Sequence, residues 1–200
     1  MHGADTVRGG NGNDTINGGG GADIFYGEAG MDLIRGGVGN DRLYGGDGYD
    51  TIYGGDGNDK VWGGKGKDIV RLGDGDDIFY DHSQNNVHGA DDVKGGNGND
   101  QLKGGGGNDR LDGGAHNDIL TGGLGSDTFV FSTGTDTITD FNTADRIDMR
   151  ASTSITSYAD LRANHTEDVA GNLVIDDGQG NTLTLTGVTE ASLQANDFLF

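Results

Sequence analysis

The chain of 200 residues contains neither cysteine nor proline. Without cysteine there is no disulfide framework, no thiolate-held zinc or iron–sulfur site and no thiol nucleophile. Without proline, and without a three-residue glycine period, its 42 glycines cannot make a collagen-like helix. Basic residues are scarce: 13 Lys and Arg stand against 33 Asp and Glu, a formal charge of −20. That balance argues against nucleic acid or an anionic membrane surface as a partner and points to cations. No apolar run approaches the ~20 residues a membrane span needs. HExxH, GxSxG and P-loop motifs are absent, as is a twelve-residue EF-hand loop closed by glutamate. The five histidines (His2, His82, His88, His116 and His165) are scattered, which makes them incidental and not ligands. The expectation is a protein that is not an enzyme.

What the chain does have is a nine-residue period. From Gly9 it reads GGNGNDTIN, GGGGADIFY, GEAGMDLIR, GGVGNDRLY, GGDGYDTIY, GGDGNDKVW, GGKGKDIVR, LGDGDDIFY, preceded by the half-motif GADTVR. After an interruption at 81–88 it resumes with GADDVK, GGNGNDQLK, GGGGNDRLD, GGAHNDILT, GGLGSDTFV and a degraded FSTGTDTIT. Counted from the first glycine, position 6 is aspartate fifteen times: Asp5, Asp14, Asp23, Asp32, Asp41, Asp50, Asp59, Asp68, Asp77, Asp91, Asp100, Asp109, Asp118, Asp127 and Asp136. Position 8 is apolar in all fifteen, from Val7 to Ile138. Two independent registers of this length exclude a chain disordered under all conditions, although low hydrophobicity with high charge would otherwise suggest one.

One buried side chain per nine residues implies a six-residue turn and a three-residue strand, and two such half-turns make an 18-residue coil. The predicted fold is all-β: a parallel β-roll, a right-handed solenoid with two short-stranded sheets across a thin core. Glycine in the turns permits positive φ and close approach of stacked backbones. Stacking then places aspartates 18 residues apart on one edge at about one strand spacing. Two unit charges ~4.8 Å apart repel by roughly 0.9 kcal/mol in water and about 3.5 kcal/mol at an effective dielectric near 20. Rows of such charges need cations between them. Calcium suits the task, because it takes six to eight oxygens, carboxylate and carbonyl, in tolerant geometry, whereas magnesium holds its waters.

The repeats resemble the GGxGxDxUx nonapeptides of RTX (repeats-in-toxin) calcium-binding proteins over residues 3–139. The resemblance implies that each ion lies between turns two repeats apart, held by both aspartates of position 6 and by carbonyls of positions 2 and 4 on one turn and 1 and 3 on the next. Carried onto this chain, position 1 supplies Gly27, Gly36, Gly45, Gly54, Gly63, Gly104, Gly113 and Gly122. Position 2 supplies Gly10, Gly19, Gly37, Gly46, Gly55, Gly96 and Gly105. Position 3 supplies Ala29, Val38, Asp47, Asp56, Lys65, Asp74, Gly106, Ala115 and Leu124 through their backbone oxygens. Position 4 supplies Gly12, Gly21, Gly39, Gly48, Gly57, Gly98 and Gly107. Pairs on the same edge number seven in the first block and four in the second, about eleven Ca²⁺ ions. Glu28 at position 2, Leu72 at position 1 and His116 at position 4 depart from the pattern and weaken their sites.

HGADTVRGGNGND at His2 and HGADDVKGGNGND at His88 match at eleven of thirteen positions. The second block therefore reads as a restart: a first roll over 1–80, an interruption over 81–88 and a second roll over 89–139, with a single roll carrying a bulged coil as the rival. Residues 140–200 hold only four of the 42 glycines and read as a cap, with a helix opened by Ser157–Asp160 and a hairpin of 172–176 and 182–185 around DGQGN. The resemblance extends to RTX capping segments and, in the final DFLF, to their uncleaved type I secretion signal, with a buried closing strand as the plainer account. No N-terminal signal peptide is present, so the expected route is the type I apparatus and the expected location extracellular. Calcium-poor cytosol and calcium-rich exterior would couple export to folding. The start in a half-repeat suggests a fragment, and the same resemblance covers the non-catalytic tails of serralysin-type proteases, RTX lipases and alginate C5-epimerases. On the outer faces, position 9 runs Tyr26, Tyr44, Trp62, Tyr80 on one sheet and Arg35, Tyr53, Arg71 on the other. This reads either as cross-strand stacking or as a platform for an anionic polysaccharide.

Overall fold

A computed structural model describes residues 3–81 and 89–200 of the chain. His2, His82 and His88 and all but the first residue of the expected interruption lie outside the described residues. The first block forms β1 (Thr6–Asn11), β2 (Thr15–Gly20), β3 (Ile24–Ala29), β4 (Leu33–Val38), β5 (Arg42–Asp47), β6 (Thr51–Asp56), β7 (Lys60–Lys65), β8 (Ile69–Asp74) and β9 (Ile78–Tyr80). The second forms β10 (Asp92–Asn97), β11 (Gln101–Gly106), β12 (Arg110–Ala115), β13 (Ile119–Leu124), β14 (Thr128–Val130) and β15 (Thr135–Ile138). Most strands are six residues long, not three. Pairing continues through the glycines, as Gly37 opposite Gly55 and Val38 opposite Asp56 show, so the turn shrinks to positions 4–6.

Odd strands pair in parallel in one sheet and even strands in the other, about eight turns of a β-solenoid in all. Position 8 points inward and builds the core, with Phe25, Leu43, Val61, Phe79, Leu102 and Leu120 on one side and Ile34, Ile52, Val70, Val93, Leu111 and Phe129 on the other, all fully buried. The alternation places position 9 outward, position 1 inward and position 2 outward. An inward glycine at position 1 leaves space that the aspartate of its own repeat enters, as described below.

The expectation of two rolls is corrected by the strand pairing. β8 pairs β10 with Val70 opposite Val93, and β9 pairs β11 with Phe79 opposite Leu102, so both sheets run through the break without an edge. The two blocks stack as one roll in which one coil has a step of 23 residues in place of 18. Apolar matching across the step sets the register, since a one-residue slip would turn Val93 to solvent.

The nine-residue register also runs past residue 139. β16 (Arg146–Asp148) pairs β14 with Ile147 opposite Phe129, which makes 140–148 a further half-coil. Beyond it, helix α1 (Tyr158–Asn164) is capped by Ser157, whose hydroxyl accepts the Asp160 N–H at 3.2 Å. Strands β17 (Thr166–Val169), β18 (Asn172–Asp176) and β19 (Thr182–Leu185) form an antiparallel unit whose last strand joins β15 in parallel. Strand β20 (Phe198–Leu199) closes the other sheet against β16, with Phe198 buried. Leu161, Leu173, Ile175, Leu183 and Leu185 extend the roll core into this cap. Among the described residues no helix is long and apolar enough to cross a membrane.

Candidate metal centre

Two ladders of aspartate run along the roll, one per edge. In each, the backbone N–H of one aspartate donates to Oδ1 of the aspartate one coil on. Asp23 donates to Asp41 at 2.7 Å, Asp41 to Asp59 at 2.8 Å and Asp109 to Asp127 at 2.9 Å. The ladders cross the break intact: Asp68 donates to Asp91 and Asp77 to Asp100, both at 2.8 Å. Every ladder aspartate from Asp23 to Asp136 is nearly inaccessible to solvent.

The second carboxylate oxygen is the informative one. From Asp5 through Asp127, fourteen ladder aspartates keep Oδ2 buried and without a hydrogen-bond partner. A buried charged oxygen left unpaired costs several kcal/mol, so such a row calls for positive partners. The inward face of position 1 shows which other oxygens lie near them. The point a Cβ would take on Gly9 lies 2.6 Å from Asp14 Oδ2 and 2.8 Å from the Gly27 carbonyl; on Gly104 the distances are 2.5 Å to Asp109 Oδ2 and 2.9 Å to the Gly122 carbonyl. Carboxylate and carbonyl oxygens thus converge, one coil apart, on a cradle that exists because position 1 has no side chain.

Side chains alone do not complete a site: among the described residues no group of three His, Cys, Asp or Glu gathers. Backbone carbonyls must supply the remaining oxygens. Gly54 O beside Asp41 Oδ2, at the Gly36 cradle, brings together two of the oxygens expected to share one ion. The position-3 carbonyls of Ala29, Val38, Asp47, Asp56, Lys65, Asp74, Ala115 and Leu124 each accept an N–H from position 4 of the preceding coil, leaving one lone pair each. The turn itself demands glycine at position 4: Gly39 has φ of 132°, and a Cβ there would strike the Gly21 carbonyl. Glu28 and His116 hold positive φ of 78° and 82°, so these departures keep the backbone shape at a cost in strain. Leu72 is buried completely, and its side chain starts at the point left open elsewhere. The Asp77 cradle is therefore filled.

Two rungs differ. Asp136 Oδ2 accepts the Ser132 hydroxyl at 2.8 Å. Asp145, which accepts the Asp127 N–H at 2.9 Å, turns its other oxygen to the N–H and side-chain amide of Asn142 at 2.9 and 2.7 Å. Asp145 escapes the sequence reading because its half-coil, DFNTADRID, has none of the turn glycines. The surviving signal is an aspartate nine residues after Asp136 with Ile147 two beyond it.

Burial dominates the titration of the ladder from Asp41 onward. It pushes Asp59 and Asp118 up to about 7 and Asp77 and Asp109 up to about 8, against the lowering effect of the accepted N–H. Neighbouring rungs add to the rise, Asp41 acting on Asp59 and both Asp91 and Asp127 on Asp109. Near neutrality these carboxyls hold a proton unless a cation replaces it.

The outer faces are already occupied by the protein's own contacts. Tyr26 stacks on Tyr44 with ring centres 4.8 Å apart and Tyr44 on Trp62 at 4.4 Å, their planes nearly parallel, and Tyr80 follows at 6.1 Å. Arg8 lies 4.0 Å over Tyr26 at one end and Lys103 5.3 Å over Tyr80 at the other. The ring faces are thus turned to each other and to cations, leaving edges to solvent. This is cross-strand stacking, the plainer of the two readings of these side chains. On the other sheet Arg35 lies over Tyr53 at 5.4 Å and Arg71 pairs with Asp92 at 3.0 Å.

The comparisons with known proteins follow the same lines. The family model of the RTX calcium-binding nonapeptide repeat matches residues 3–34, 26–61, 35–70, 44–79, 53–87, 94–129 and 104–138, together more than half of the chain. No curated protein matches. Among solved structures, the extracellular lipase LipA from Serratia marcescens is similar over 99% of this chain at 20% identity with a TM-score of 0.54, a likeness of fold. The chain spans 38% of that lipase's length. The AlgE6R3 subunit of the mannuronan C5-epimerase from Azotobacter vinelandii matches 78% of this chain and 80% of its own at 27% identity, with a TM-score of 0.30. With its repeats, its β-roll and its two aspartate ladders, the chain belongs to the RTX calcium-binding nonapeptide-repeat family.

Proposed function

We propose that the chain is a structural module that winds into its roll on binding calcium and stays loosely structured without it. The observation that carries this reading is the row of buried Oδ2 atoms without partners, from Asp5 to Asp127. Eleven of these oxygens face a glycine at position 1, from Gly9 to Gly122, and at eight of those glycines a carbonyl one coil on lies against the same space, which supports a row of ions of the order of the eleven that the repeats suggest. Each would be held by ladder aspartates and by the carbonyls of positions 1–4 assigned above. When bound, calcium supplies the positive charge that neither solvent nor the protein brings to these oxygens.

Such a module suits type I export to the outside of the cell, because a calcium-poor interior would leave the ladders unwound for passage and millimolar calcium outside would wind them. Residues 140–200, ending in DFLF, would serve as cap and export signal. A second reading, favoured by the match to part of a secreted lipase, is that the module is the non-catalytic C-terminal part of a larger enzyme of lipase, epimerase or serralysin type. Circular dichroism during a calcium titration, with magnesium as control, tests the main reading. A β signal that rises cooperatively with calcium alone supports it, and a full β signal in chelator overturns it.

A further inference from the structure

The cap folds back over the outer face of the nine-stranded sheet and leaves a cleft of about 650 Å³. Its floor lies where Gly73, Gly96 and Gly114 sit side by side on β8, β10 and β12. All three face outward with φ between 106° and 126°, and a Cβ on Gly96 would strike the Gly73 carbonyl. No side chain can rise there, so the floor is a flat strip of peptide and CH₂ about three strands wide.

The walls are polar and closely set. On the sheet side Lys94 pairs with Asp112 at 3.5 Å, and the Asn97 amide donates to Asp74 at 2.7 Å. On the cap side Ser152, Thr153 and Gln179 face them, with Gln179 Nε2 3.5 Å from Thr153 Oγ1, a contact loose enough to be exchanged for a ligand. Hydroxyl, amide and carboxylate groups thus ring a flat surface with no side chains.

We infer that this cleft binds a neutral oligosaccharide of two or three rings. A sugar ring offers a flat C–H face to such a floor and hydroxyls to such a rim, and the volume falls within the ~300–1,000 Å³ of ligand sites. Charge selects against an acidic sugar: three carboxylates, Asp74, Asp112 and Asp177, border the cleft, and the ammonium of Lys94 is already turned to Asp112. The inference does not depend on the calcium-driven winding proposed above, beyond needing a wound roll.

The test is isothermal titration of the full chain in calcium with cellotriose, maltotriose and mannotriose as neutral probes and trigalacturonate as the acidic one. At least one neutral trisaccharide should bind, and Gln179→Ala and Thr153→Trp should each weaken it by about tenfold or more. Both positions are exposed, so the calcium-induced β signal of each variant should match that of the parent chain. Trp62→Ala, which removes the centre of the aromatic stack, should bind as the parent does. No neutral binding at about 10 mM ligand, tighter binding of trigalacturonate, or unchanged affinity in both cleft variants would each overturn the assignment. A β signal that fails to appear with calcium would instead count against the winding proposal.

Discussion

Asp109 and Asp136 occupy the same position of their repeats, are equally buried and accept the same kind of backbone hydrogen bond through Oδ1. They differ in Oδ2. That of Asp109 faces a glycine cradle and has no hydrogen-bond partner, whereas that of Asp136 is held by the Ser132 hydroxyl, and Asn142 does the same for Asp145 one half-coil later. The roll is therefore built in two ways. From Asp5 to Asp127, apart from Asp77, whose cradle Leu72 fills, it leaves a carboxylate oxygen for something outside the chain, and at its C-terminal end it answers the oxygen with its own side chains. The closed rungs adjoin the cap, where Ile138, Ile147, Leu183 and Phe198 share one core, so this end has packing that the thin roll lacks.

The largest expected effect of that difference is regional. In excess chelator, amide hydrogen exchange should accelerate by orders of magnitude over residues 3–81 and 89–130, while amides of β15, β16, β18 and β19 retain protection. Uniform loss, or uniform retention, would erase the distinction between open and closed rungs.

Acid should sharpen it next. Burial raises Asp59 to about 7 and Asp77 and Asp109 to about 8 in the wound chain, while an unfolded aspartate titrates near 3.9. Between those limits the wound state without metal holds protons that the unwound chain has released, so its stability falls as pH rises and grows as pH drops. Chelated chain taken from pH 8 to pH 5 should regain β signal. With calcium present the slope reverses, because protons then compete with the metal and the calcium midpoint rises on acidification. A chelated chain that unwinds further at pH 5 would contradict the burial of these oxygens.

Substitution probes single rungs. Asp59→Asn, in the middle of an open ladder, should raise the calcium midpoint by about tenfold, a change of ~1.4 kcal/mol, as read by circular dichroism. Asp136→Asn should move it by far less, since the amide oxygen can keep the Asp118 N–H while the amide nitrogen donates to the Ser132 hydroxyl oxygen. Equal shifts would mean that the two kinds of rung are energetically alike.

Much of this was legible in the residues. Aspartate at position 6 and an apolar residue at position 8 fix both ladders and the core, because a period of nine with one buried side chain has few ways to wind. The strand length was not, since Gly18 and Gly19 look like turn residues until sheet pairing is seen to run through them. Continuity through the break depends on Val70 meeting Val93 across a step of 23 residues, which no local pattern displays. Closure of Asp136 and Asp145 depends on Ser132 and Asn142, ordinary polar residues whose role appears only once the turn brings them to an oxygen. The cleft is further still from the sequence, because it forms where two distant segments, 151–153 and 177–181, return to the sheet.

The smallest effect separates two causes of closure. At Asp136, Ser132 donates a hydrogen bond and Phe131, at position 1 of the same repeat, is buried where other coils have an open cradle. Ser132→Ala removes the donor and leaves the aromatic ring. If the hydrogen bond alone distinguishes this rung, the variant should take up one more calcium ion than the parent chain. If the filled cradle matters as well, the ion count should stay the same and the chelated cap should lose about 1–2 kcal/mol, the usual cost of an unpaired buried acceptor. The packing of Phe131 favours the second outcome, because a carboxylate oxygen without converging carbonyls offers calcium too few of the six to eight ligands it takes. Calcium stoichiometry by equilibrium dialysis, set beside urea unfolding of the chelated cap, distinguishes the two.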